Sequence, residues 1–165
     1  MKTLFLLRHA KSSWHDRTLA DFERPLNGRG RRAAELMGHY LKANLILPEL
    51  VLSSPAVRAR ETLDLVTRAA EWSTEVRYDQ RIYEASDIRL AEVVTEIDDE
   101  RNVAMLVGHN PGLEQLLLRL TGETVEMSTA TLAKVAFEIT EWTNAIDKRG
   151  TLESLVKPGD LESAK

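Results

Sequence analysis

Two hydrophobic patterns alternate along the chain. Short unbroken apolar runs occur at Leu4-Phe5-Leu6-Leu7, Leu50-Val51-Leu52 and Val103-Ala104-Met105-Leu106-Val107. Runs of this length read as strands buried on both faces, as in a parallel sheet. Between them apolar residues recur at helical spacing. One stripe is Ala33, Leu36, Met37, Tyr40 and Leu41, stopping near Asn44; the next is Ala59, Leu63, Val66 and Ala70. Two more are Leu90, Val93, Val94, Ile97 and Leu113, Leu116, Leu117, Leu120. Val76 and Tyr78 suggest a weaker third strand, after which Ile82-Tyr83-Glu84-Ala85 runs into a loop. From Thr131 the period becomes two, with Ala133, Val135, Phe137 and Ile139 on one face. That predicts a late strand, paired with a short one around residues 142–146. The order β-α-β-α-β-α-β-α-β, with room for a final strand, predicts an α/β fold. Its expected form is a three-layer α/β/α sandwich with a largely parallel central sheet.

Local signals sharpen the boundaries. Asn27-Gly28 marks a turn and a helix cap, and Ser86 can cap another helix. Ser54-Pro55 and Asn110-Pro111 each read as a cap followed by proline at the first helical position. Residues 11–25 form a connection longer than an ordinary βα loop, and such loops are often functional. The tail from about residue 148 is polar, carries Pro158-Gly159, and is expected to wrap the surface as a peripheral segment. Residues 1–165 are expected to form a single domain.

Composition narrows the function classes. The chain has 43% hydrophobic and 29% charged residues, as in ordinary globular proteins. There is no apolar run of the roughly 18 residues a membrane span needs, and Met1-Lys2-Thr3 ahead of four apolar residues is too short for a signal peptide. With 0 cysteines, disulfides, thiolate nucleophiles and Cys-based metal sites drop out. A net charge of −4 and few aromatic residues argue against a nucleic-acid partner. A cytoplasmic monomer with no membrane association is expected.

The candidate chemistry sits at strand ends. In an open α/β sheet, ligands bind beyond the carboxyl ends of the strands. Here these ends carry Arg8-His9, Ser53-Ser54, Glu84 and His109. Arg58 falls in the first turn of the helix after the second strand, and helical side chains lean toward the N-terminus. An inward Arg58 would therefore point back at the strand tips. Two guanidiniums and helix N-termini around one spot suit a phosphoryl group, and two histidines beside them offer a nucleophile and a stabiliser of transferring charge.

Three ordered blocks carry a resemblance. Leu7-Arg8-His9-Ala10, Ser53-Ser54-Pro55-Ala56-Val57-Arg58-Ala59-Arg60-Glu61-Thr62 and Val107-Gly108-His109-Asn110-Pro111-Gly112 resemble the signature blocks of the histidine phosphatase (phosphoglycerate mutase-like) superfamily. The short chain and its Arg-His-Ala-Lys-Ser opening resemble the SixA-type phosphohistidine phosphatases. The resemblance implies a metal-independent phosphatase with His9 as the nucleophile that becomes phosphorylated, and Arg8, Arg58 and His109 holding the phosphoryl oxygens. It implies no cofactor. The substrate it implies is a phosphohistidine on a signalling protein; a small phosphate ester is the alternative, and a non-catalytic phosphate- or phosphoprotein-binding module is a rival of another class.

Two positions depart from the family pattern. Ala10 stands where glycine is common. Glu84 sits where many members place a general acid, but its neighbours Tyr83 and Ala85 make no sharp motif, so acid and solvated loop carboxylate both stay open. A phosphohistidine substrate tolerates the absence of an acid, whereas an ester needs a proton for its leaving oxygen. Among the remaining candidates, His15 reads first as a surface residue and His39 as structural. Lys11, Arg60 and Asn110 read as loop or cap residues that could also touch ligand. Trp14, Trp72 and Trp142 read as packing residues.

Overall fold

Arg8 and His9 of the candidate site come from the end of the strand β1 (Lys2–Arg8), which lies inside a six-stranded sheet. The computed structural model describes residues 1–162. After β1 come α1 (Gly28–Ala43), β2 (Leu50–Ser53), α2 (Val57–Ala70), β3 (Glu75–Tyr78), α3 (Asp87–Thr95) and β4 (Val103–Gly108). The chain continues through α4 (Gly112–Thr121), β5 (Leu132–Phe137), β6 (Thr151–Val156) and α5 (Pro158–Glu162). The strand order is β3-β2-β4-β1-β5-β6. β3, β2, β4 and β1 run parallel, β5 joins β1 antiparallel, and β6 pairs antiparallel with β5.

The expected three layers are present. Alternation along β1 sends Phe5 and Leu7 to one side, where Met37 and Leu41 of α1 and Leu63 and Val66 of α2 cover them. Leu4 and Leu6 face the other side, under Leu90 and Val94 of α3 and Leu113 and Leu117 of α4. All four β1 residues are at most 3% exposed, the burial expected of a central strand covered on both faces. Among the described residues no helix is long and apolar enough to cross a membrane.

Several boundaries differ from the sequence expectation. Residues 142–146 form a 3-10 helix rather than a strand. Trp142 is fully buried there, donating its indole N–H to the Arg101 carbonyl at 2.7 Å, and this anchor outweighs the local alternation. The partner of β5 is β6, so the segment after residue 148 adds an edge strand and a short helix against α1 instead of simply wrapping the surface. The last three residues of that tail lie outside the described residues. α2 is capped at Ala56 and starts at Val57, and α4 starts at Gly112 after Pro111. Ser54 and Asn110, expected as helix caps, are thereby free for other contacts.

Candidate active site

Three parallel strands end side by side and their next residues form the floor. The His9 amide donates to the Gly108 carbonyl (3.1 Å), tying the tip of β1 to that of β4. The Ser54 amide donates to Val107 (3.0 Å), tying in β2. On the other side Ala130 donates to the carbonyls of Arg8 and His9 (3.1 Å each). The backbone around His9 is thus held by β4 on one side and by the turn before β5 on the other. Arg8, His9, Arg58 and His109 line one cavity of about 240 Å³, with Arg24 and Asn110. The two imidazole rings lie 5.0 Å apart.

The chemistry of His9 follows from one hydrogen bond. Its Nδ1 is 2.7 Å from the Ala10 carbonyl, which can only accept, so Nδ1 carries the proton and donates. Nε2 is then the nitrogen with a lone pair. Burial pushes the His9 pKa down to about 4, and Arg58, Arg8 and Arg24 push in the same direction. At neutral pH the ring is neutral and nucleophilic. Ala10 itself is fully buried and its amide donates to the Thr62 hydroxyl at 2.9 Å. The alanine that replaces the commoner glycine is accommodated.

His109 is prepared differently. Ser54 Oγ lies 2.7 Å from His109 Nε2 and also accepts from the Ala56 amide at 3.2 Å. His109 Nδ1 is buried without a partner among the described residues; in the tautomer in which the Ser54 hydroxyl donates to Nε2, Nδ1 carries the proton and is an open donor. Burial lowers the His109 pKa to about 3, reinforced by His9, Arg58 and Arg8. The buried Nε atoms of Arg8 and Arg58 are also unpartnered. A buried donor left unsatisfied costs free energy that an anion accepting from it recovers.

Both imidazoles are buried neutral, and this has a measurable cost. The unfolded chain takes up protons on these rings below about pH 6.5, while the folded chain does not until pH 4 or lower. Their contribution to stability is therefore complete above pH 6.5 and lost as the pH falls, by an amount on the order of a few kcal/mol. Urea midpoints at pH 7 and pH 4.5 should differ more for the native chain than for His9→Gln/His109→Gln. Equal differences would show that other groups set the acid lability.

Sequence reasoning missed a carboxylate that organises the arginines. Asp21, in a 3-10 turn over Asp21–Glu23 of the long first loop, receives Arg58 twice: Nη1 at its carbonyl (2.8 Å) and Nη2 at its carboxylate (3.1 Å). Arg24 Nε donates to the same carboxylate at 3.2 Å, and the Tyr83 hydroxyl donates to it at 2.7 Å. Partial burial opposes ionisation of Asp21, yet Tyr83, Arg58 and Arg24 outweigh it and hold the pKa at about 2. Arg24 is buried, donates to Ser12 Oγ at 2.7 Å and stacks on Trp14, its guanidinium 3.5 Å from the ring centre. No hydrophobic period runs through residues 11–25; only the loop's length and the three-residue spacing of Asp21 and Arg24 hinted at them.

The remaining candidates separate. Glu84 is exposed, with φ of 51°, and does not line the cavity of His9. It lines an adjoining one of about 520 Å³ that also touches Asp21, Arg58 and His109. Asn110 donates to the Met127 carbonyl at 2.8 Å, the same carbonyl that accepts from Arg8 Nη1 at 2.9 Å, so it braces Arg8 instead of capping a helix. Lys11 lines the His9 cavity, whereas His15 and His39 are exposed and do not. Arg60 lies over Tyr78, its guanidinium 5.1 Å from the ring centre. Trp14, expected in the packing, is 70% exposed, while Trp72 and Trp142 are buried as expected.

Comparison with known proteins adds three relatives and one family. The model of the histidine phosphatase superfamily (branch 1) matches residues 4–87. An uncharacterised chloroplastic protein of Arabidopsis thaliana is 33% identical over 170 residues, covering 95% of this chain and 78% of the relative. The phosphohistidine phosphatase SixA of Escherichia coli is 27% identical, with 98% of each chain covered. A crystal structure of a candidate phosphohistidine phosphatase SixA from Agrobacterium tumefaciens superposes with a TM-score of 0.82 at 29% identity, covering 95% of this chain and 98% of the other.

Proposed function

Because the chain belongs to the histidine phosphatase superfamily (branch 1) and is a phosphatase of that superfamily, we propose that it hydrolyses phosphohistidine on a protein through a phosphorylated His9. In the first step the His9 Nε2 lone pair attacks phosphorus. The bond from phosphorus to the substrate's imidazole nitrogen breaks, and that imidazole leaves neutral, carrying the proton its ring had acquired. In the second step water adds its hydroxyl to phosphorus and the P–Nε2 bond breaks. The other proton of that water stays on the released phosphate, and the lone pair of His9 is restored.

Arg8, Arg58 and His109 serve both steps. Their donors stabilise charge on the equatorial phosphoryl oxygens, which is the main task in phosphoryl transfer. The Nδ1–H···O bond to Ala10 keeps Nε2 aimed and unprotonated. Asp21 orients Arg58 without titrating near neutrality.

The observation that carries the choice of substrate is the lining of the His9 cavity. Its residues include arginines, a lysine, two histidines, Asn110, Ser12 and Thr129, and among the described residues no carboxyl group lines it. An alkoxide leaving group needs proton donation from an acid; a protonated imidazole does not. Phosphohistidine is also the substrate in the name of the E. coli relative.

The test compares a phosphohistidine protein, a phosphoserine peptide and a sugar phosphate on native and Glu84→Gln protein. Phosphohistidine turnover is expected to be fastest and to change less than about two-fold in the variant, as for an exposed group outside the transition state. Ester hydrolysis that exceeds it and collapses in Glu84→Gln would make Glu84 the general acid and the substrate a small ester.

A further inference from the structure

Beside the cavity of His9 lies a second one of about 330 Å³, and the two share Lys11 and Thr129 in their walls. Arg29 and Arg32, from the start of α1, line the second cavity, and among the described residues Glu162 of α5 is the one carboxylate in its lining. Helix and loop meet closely here. A Cβ on Gly30 would lie 2.1 Å from the Lys11 carbonyl oxygen, so glycine is required for the approach. Asn27 caps the helix by accepting from the Gly30 amide and ties its own amide to Lys11 at 3.0 Å. Three cationic side chains are thereby grouped at the positive end of a 16-residue helix.

Their electrostatics differ from those of the neighbouring arginine. Arg31 on the other side of α1 is matched by Glu61 at 3.1 Å. Lys11, Arg29 and Arg32 are exposed and make no ion pair among the described residues. In a chain of net charge −4 this is a local positive field beside the phosphate pocket. Trp14, 70% exposed and stacked on Arg24, also lines that pocket. An exposed tryptophan and arginines around an open mouth have the composition of a protein interface.

We propose that Lys11, Arg29 and Arg32 form a docking groove for a carboxylate-rich segment flanking the phosphorylated residue of a protein substrate, with Trp14 in the wall of the adjoining pocket as the apolar anchor. This rests on the reading above that the phosphoryl group is carried by a protein. A single small anion would gain little from three solvent-screened cations, in contrast to the buried donors around His9. A segment bearing several carboxylates gains from each of them and is steered toward the mouth.

The experiment uses two peptides with the same phosphohistidine, one flanked by glutamates and one by alanines, and a matching phosphoserine pair. Native protein should prefer the glutamate flank by about five-fold or more in kcat/KM, through KM, with the preference shrinking between 50 and 200 mM salt. Arg29→Glu/Arg32→Glu should lose that preference while turning over the alanine-flanked peptide within about two-fold of native. Both substitutions put acidic residues in the first turns of α1, where they favour the helix; Arg29→Gln/Arg32→Gln repeats the test without charge reversal. No flank preference, or equal losses on both peptides, overturns the groove. Turnover of the phosphoserine pair alone, with the flank preference abolished in the variant, supports the groove and sinks phosphohistidine as the substrate. Turnover of neither pair overturns both.

Discussion

Alanine in place of His9 should abolish turnover while inorganic phosphate still binds. The expected loss is at least about 10⁴-fold in kcat, as when the nucleophile of a covalent mechanism is removed. Binding should change only a few-fold, because the donors of Arg8, Arg58 and His109 stay in place and no charge is removed at neutral pH. Rapid alkaline quenching with labelled substrate should trap phosphate on native protein and none on His9→Ala. Residual activity within ten-fold of native would mean another nucleophile. Tight phosphate binding unaffected by His9→Ala, with no turnover by the native protein, would favour the binding-module reading instead.

Arg58→Ala should follow it in size, with about 10²–10³-fold lost from kcat/KM, the range for removing one donor aimed at developing charge. Two features make this arginine more than a point charge. It is 6% exposed, and its fork spans the carbonyl and carboxylate of Asp21, so the planar guanidinium is fixed before substrate arrives. Arg58→Lys should therefore recover little, since an ammonium cannot hold Asp21 at both sites and still address a phosphoryl oxygen. Parallel kinetics on Asp21→Asn separate the two contributions. If Arg58→Lys matched native protein, charge alone would account for the effect. A loss in Asp21→Asn comparable with that in Arg58→Lys would assign the effect to orientation.

How much of this could be read from the sequence depends on whether a residue belongs to a periodic element. β1, β2 and β4 announce themselves because strands buried on both faces must be almost wholly apolar, as Leu4 to Leu7 show. Arg8, His9 and His109 could be placed because they interrupt such runs at their ends, and Arg58 because it occupies a known turn of a helix. Asp21, Arg24 and Tyr83 lie in connections with no period, so nothing in their spacing tells which strand tip they approach. Ser54 was misread for a different reason. The dipeptide Ser54-Pro55 suits a helix cap, but the hydroxyl is held by the imidazole of His109, and the helix begins two residues later than the cap reading requires. The 3-10 helix at Trp142–Ile146 shows the same competition, with burial of one indole overriding local alternation.

The central position of β1 also shapes how such a protein can diverge. Residues 4–7 serve both hydrophobic layers at once, so nearly any change there creates a cavity or an overlap and endangers the whole fold. The imidazole at the end of that strand inherits its immobility. Lys11, Trp14, Arg29 and Arg32, a few residues away in space, are exposed and carry little of the stability. Descendants of one ancestral sequence can therefore exchange the residues around the mouth, and with them their partners, while the strand that bears His9 stays as it was.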